Sequence, residues 1–142
     1  STVDDFSRAL LSEEFDVVHF SGHGTGNGVV FEDEQGKPFH PPPAALARIL
    51  GDYSPPIRCV VLNACLTSDD SKLISKRVPA VVGMDAPISD VGAIEFSRGF
   101  YDALGAGKDE TMAYDEGVRR MHLKNLEHDV PQLFKGGRRT KR

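Results

Sequence analysis

The sequence is short of cysteine, with only Cys59 and Cys65 in 142 residues. They lie six positions apart on and just past one expected strand. At about 3.3 Å per residue their Cα atoms stand roughly 20 Å apart, and a disulfide tolerates no more than ~7 Å. Two free thiols and a reducing, cytoplasmic setting are therefore expected. Long hydrophobic runs are missing too. None approaches the ~18 residues of a membrane helix, and nothing at the start reads as a secretion signal, so no membrane association is expected. Nor is there an excess of positive charge. Seventeen Lys and Arg against 21 Asp and Glu give a formal net charge of −4, so bulk electrostatics offers no reason to expect nucleic acid as a partner. Internal repeats and low-complexity stretches are absent. Ser1 stands where an initiator methionine would, which suggests an excised piece or a processed product.

What remains is an ordinary globular composition, 39% hydrophobic and 27% charged, of a length suited to one domain. The domain is expected over residues 1–130. Residues 131–142 read as a C-terminal tail, because Arg138, Arg139, Lys141 and Arg142 follow Gly136 and Gly137.

The apolar pattern alternates between strand and helix. Residues 1–14 carry Val3, Phe6 and Leu10 at helical spacing, and Ser1 or Thr2 with an acid three residues on resembles a capping box. A short strand over 16–20 follows, then a hairpin over 28–39 turning at Glu34-Gln35-Gly36. Pro41, Pro42 and Pro43 launch a helix over 44–50. Residues 57–63 and 78–84 are nearly all-apolar strands of the kind buried on both faces of a parallel sheet. Helices are expected over 91–104 and about 110–127. The expected fold class is α/β: a three-layer α/β/α sandwich on a mostly parallel sheet, with a β-hairpin insertion. Open sheets of this kind usually begin with a strand, whereas this chain opens on a helix, so one sheet position is left unfilled.

In such sheets reactants gather at the carboxyl ends of the strands. His23 lies just past one strand and Cys65 just past another. If those strands are neighbours, both side chains reach one crevice. A thiol with an ordinary pKa near ~8.5 needs such an imidazole partner to act as a nucleophile. Gly22 and Gly24 permit a sharp turn around His23. The N–H groups of Gly24 and Cys65 could then form a two-donor oxyanion hole. By composition alone, a turn histidine and a small buried cysteine explain these residues as well. A phosphate loop over residues 22–28 fits poorly, since Asn27 and Val29 stand where Gly-x-Gly-x-x-Gly needs glycine and no Gly-Lys-Ser/Thr follows. His19, His23, His40 and the cysteines lack metal-ligand spacing, so neither metal nor cofactor is expected. Cys59 reads as inert core, His19 as a packed strand residue, and His122 and His128 receive no role.

Three blocks carry a family resemblance: Val18-His19-Phe20-Ser21-Gly22-His23-Gly24, Val60-Val61-Leu62-Asn63-Ala64-Cys65, and Ala80-Val81-Val82-Gly83-Met84 with Pro87-Ile88-Ser89-Asp90. In this order and spacing they resemble the CHAT domain, a family of the caspase-like (clan CD) cysteine peptidases with separase, gingipains and metacaspases as distant relatives. The likeness extends through Phe96-Ser97-x-x-Phe100-Tyr101-x-x-Leu104 and covers about residues 15–107 well. It implies an endopeptidase with a His–Cys dyad and a thioester intermediate, Cys65 attacking and His23 protonating the leaving amine. It also implies a carboxylate for a basic side chain before the cut, with Asp85 ahead of Asp90, because Asp90 also suits the cap of the following helix. Protein substrates and attached sensor or repeat domains are the implied partners. Two departures stand out. The family's upstream first strand is not in this chain. Leu66-Thr67-Ser68-Asp69-Asp70 puts two acids beside the nucleophile, which would raise a thiol's pKa and suits an enzyme awaiting activation. A catalytically silent module for protein binding or assembly is the alternative reading.

Overall fold

The computed structural model describes residues 2–14, 16–20, 31–65 and 68–140, with the backbone alone for Ala64, Cys65 and Ser68. In chain order the elements are α1 (Val3–Ser12), β1 (Val17–Phe20), β2 (Phe31–Glu32), β3 (Pro38–Phe39), α2 (Pro43–Asp52), β4 (Cys59–Cys65), α3 (Ser68–Ser75), β5 (Ala80–Met84), α4 (Asp90–Gly105), α5 (Glu110–Leu123), β6 (Pro131–Lys135) and β7 (Arg138–Arg139). The capping box at the first helix is Thr2 with Asp5: the Asp5 N–H donates to Thr2 Oγ1 and the Thr2 N–H to Asp5 Oδ2. The hairpin turns as its polar tip demands. Asp33 Oδ1 accepts from the N–H groups of Gln35 and Lys37, and Phe31 pairs with Phe39.

The main sheet has the order β1-β4-β5-β6-β7. β1, β4 and β5 are parallel, β6 is antiparallel to β5, and β7 is antiparallel to β6. Only β6 therefore runs against the rest, and the sheet is mostly parallel. Strands β4 and β5 read as nearly unbroken apolar runs because helices cover both of their faces. Val60, Leu62 and Val81 point to one face and pack with Leu10 of α1, Leu46 and Leu50 of α2 and Ile74 of α3. Cys59, Val61, Ala80 and Val82 point to the other and meet Phe96 and Phe100 of α4 and Ala113 and Met121 of α5. That gives the three layers. At the edge, all four residues of β1 are half-buried, and among the described residues no strand pairs with its outer side.

The C-terminal residues depart from expectation. Pro131–Lys135 is a strand of the main sheet, not a tail, with Leu133 and Phe134 1% and 2% exposed. Gly136 and Gly137, at φ 61° and 84°, form the two-residue turn that folds Arg138–Arg139 back as β7. A glycine pair that reads as a frayed end is here a hairpin, because the apolar pair before it closes the core. Helix α3 also escapes the apolar pattern: it is mostly polar and holds on through Ile74, which is fully buried. Helix α5 ends at Leu123 rather than near 127, because Asn125 turns left-handed at φ 56°.

Helices α4 and α5 are tied together by a buried carboxylate. Glu95, 3% exposed, accepts from Arg98 at 3.0 Å, Arg120 at 2.9 Å and Lys124 at 3.2 Å. Led by the Arg120 hydrogen bond, these cations hold its carboxyl at about 2, well under the ordinary 4.5. A depressed carboxylate stabilises the fold fully above the unfolded pKa and loses that contribution as pH falls through the folded one. Thermal stability is therefore expected to drop between about pH 4.5 and 2 partly through this group. In Glu95→Gln the melting temperature should be lower at neutral pH and should vary less across that acid window. Melting curves from pH 2 to 7 read both effects.

Candidate active site

The candidate site is expected at the tips of two strands. β1 and β4 are parallel neighbours in which Phe20 lies opposite Leu62. Cys65 is the last residue of β4, three positions past Leu62, and His23 stands three positions past Phe20. His23 and Gly24 lie outside the described residues, and for Cys65 the structure gives the place of the backbone. Just before Cys65 the ladder slips: Val61 is opposite Val82 and Cys65 opposite Met84, so β4 takes four steps where β5 takes two. Such bulges bend a strand and re-aim its side chains, and they recur beside active sites. Helix α3 begins three residues after Cys65. Asp69 and Asp70 thus sit in a first helical turn, where acids commonly complement the helix dipole. Their presence beside Cys65 has a structural reason that the bare sequence conceals.

The two sequence-nominated carboxylates lie on different sides of these tips. Asp85 directly follows β5; its N–H donates to the Val130 carbonyl, and its half-exposed carboxylate pairs with Arg139 at 3.4 Å. Asp90 does not cap α4. Ser89 does so, its Oγ accepting from the Gly92 N–H at 2.9 Å and donating to Glu127 Oε1. Asp90 is instead the first helical residue and lines an open groove of about 920 Å³ between α4 and the β1 edge.

The floor of that groove is His19 and Asn63, and its wall includes Ile94, Ser97 and Tyr101. His19 Nδ1 is 3.1 Å from the Tyr101 hydroxyl, and burial pulls the imidazole pKa down, which favours the neutral ring at neutral pH. Asn63 lies inside the bulge, two residues before Cys65. Its Oδ1 is buried with no hydrogen-bond partner among the described residues. Cys59, by contrast, is fully buried, and burial followed by the Glu110 carboxylate pushes its thiol up to about 12. It is inert core.

The family profile of the CHAT domain matches residues 1–133. The chain belongs to the CHAT domain family. The match begins with α1 and runs into β6, and it places the chain in a caspase-like family of the cysteine-peptidase type. No curated protein matches the chain.

Within this CHAT domain, sequence reasoning overlooked Asn63, although a signal was there: it is the only polar residue in the Val60–Cys65 run. A lone amide in a strand buried on both faces needs either a partner or a task. The Tyr101 contact with His19 left no trace, since the two residues are 82 positions apart. Among the described residues no cluster of His, Cys, Asp and Glu is arranged to hold a metal ion, and no helix is long and apolar enough to cross a membrane.

Proposed function

We propose that this CHAT domain is a cysteine endopeptidase in which Cys65 is the nucleophile and His23 the acid–base partner. The observation that carries the reading is the strand register: β1, which precedes His23 in the chain, and β4, which ends at Cys65, are adjacent and parallel with Phe20 opposite Leu62, and a bulge lies directly before Cys65. In the reaction the Cys65 thiol gives its proton to His23, and the thiolate attacks the scissile carbonyl carbon. The resulting oxyanion is held by the N–H groups of Gly24 and Cys65. Collapse breaks the C–N bond, and the amine leaves with the proton from His23. Water then hydrolyses the thioester and returns the thiol. The start of α3 after Cys65 supports the thiolate through its dipole, and Asp69 and Asp70 in its first turn work against it. That balance suits an enzyme held at low resting activity.

Asp85 is the acceptor for a basic P1 side chain, and Asp90 lies along the peptide's path beside the groove. Substrates are proteins, attached sensor or repeat domains supply control, and free thiols fit a cytoplasmic setting. The test is a peptide library scanned at P1, incubated with the intact protein and with Cys65→Ala. Cleavage after Arg or Lys, lost in Cys65→Ala and with its preference erased in Asp85→Asn, is expected. Cleavage without preference for a basic P1 residue would remove the role of Asp85. Equal cleavage by Cys65→Ala would overturn Cys65 as the nucleophile.

A further inference from the structure

The Asp85 carboxylate is not free in the folded chain. Arg139 Nη1 lies 3.4 Å from its Oδ2, and the arginine comes from β7, two strands away from β5 in the sheet. The strand that carries this arginine is fixed in place. The Gly136–Gly137 turn fixes the register of β7 so that Arg139 lies opposite Phe134. The Thr140 N–H donates to Leu133 O at 2.9 Å, and the Gly137 N–H donates to Ser75 Oγ at 3.0 Å. The contact itself is loose. It is an ion pair at 3.4 Å between side chains that are 51% and 42% exposed. Exposed pairs of this kind shift equilibria by only a few-fold, whereas a guanidinium that meets a carboxylate with two parallel N–H···O bonds is held more firmly.

We propose that Arg139 is a specificity-setting residue that occupies Asp85 as an internal stand-in for the basic side chain of a substrate. This rests on Asp85 being the P1 acceptor. A substrate must displace Arg139 to dock. A bidentate arginine does so readily, and a neutral side chain gains nothing by trying. Arg138, its neighbour on the exposed strand, alternates to the other face of the sheet and does not share the carboxylate.

The experiment is a fluorescence titration of p-aminobenzamidine, an amidinium probe, into the full chain and three variants. Binding needs no turnover, so it reads Asp85 even in an enzyme at rest. Asp85→Asn is expected to abolish binding. Arg139→Gln is expected to tighten it about two- to five-fold, the range in which exposed ion pairs act. Arg138→Gln, which removes the same charge from the same strand, is expected to bind as the parent does. If Arg139→Gln binds no tighter while Asp85→Asn abolishes binding, the role of Arg139 is overturned and that of Asp85 stands. Should Arg138→Gln tighten binding equally, the effect is bulk charge and the Arg139 role falls. If the parent does not bind the probe, or Asp85→Asn binds as the parent does, Asp85 is not the acceptor and both roles fall together.

Discussion

Cys65→Ala is expected to lower peptide cleavage by at least about 10³-fold, and His23→Ala by a similar factor, because the two act as a unit. The double variant should be no worse than either single one. Once the thiolate is lost, an imidazole has nothing to activate, and once the imidazole is lost, the thiol stays protonated. Additive losses would mean two independent effects and would count against a dyad. The same reading sets an order of thiol reactivity. Cys59 is fully buried with its thiol pushed up to about 12, so iodoacetamide should leave it untouched in the native protein. Cys65, at the end of β4 with a helix starting three residues on, should be alkylated first, and mass spectrometry of the labelled peptides decides the order. Equal reactivity of the two thiols would sink the peptidase reading and leave the assembly module in its place.

Much of this arrangement was legible in the sequence, and the reason is period. The runs at 57–63 and 78–84 are apolar at nearly every position, which only a strand covered on both faces requires. Their place at the centre of the sheet follows from that. The helical spacing of Val3, Phe6 and Leu10 likewise survives as the buried stripe of α1. What failed to show were elements held by one or two contacts. Helix α3 rests on Ile74, and β6 on the pair Leu133 and Phe134, too few apolar residues to establish a period. Caps are a finer case. Ser89 and Asp90 are both competent N-caps by chemistry. The structure selects Ser89, whose hydroxyl can serve the Gly92 N–H and the Glu127 carboxylate at once. A carboxylate at that point would have faced Glu127 as a like charge. The partner of Asp85 was illegible for another reason. Arg139 reaches it only because a glycine pair turns the chain back, and the same pair read as the start of a loose end.

Helix α4, which walls the groove, is packed tightly against α5, and this leads to the largest expected loss of stability. Gly99 of α4 meets the backbone of α5: a Cβ at this position would stand 2.6 Å from Glu116 O and 2.9 Å from the Cα of Gly117. Gly117 in turn faces Phe96, with a Cβ there 2.6 Å from its ring and 2.9 Å from its carbonyl oxygen. Backbone cannot rotate away as a side chain can, so the helices must part to admit even one methyl group. Alanine is otherwise the better helix former, by about 1 kcal/mol over glycine. An unobstructed site would therefore be stabilised by Gly99→Ala. Here overpacking, typically costing about 1–3 kcal/mol, sets the sign, and Gly99→Ala is expected to lower the urea midpoint. Parting the helices would also loosen the Glu95 cluster that bridges them and shift Asp90, Ser97 and Tyr101 along the groove wall. Gly105→Ala serves as the control, because a Cβ there meets nothing within 4 Å. It should leave the midpoint unchanged or raise it. A Gly99→Ala protein as stable as the Gly105→Ala one would show that α4 and α5 are not in backbone contact.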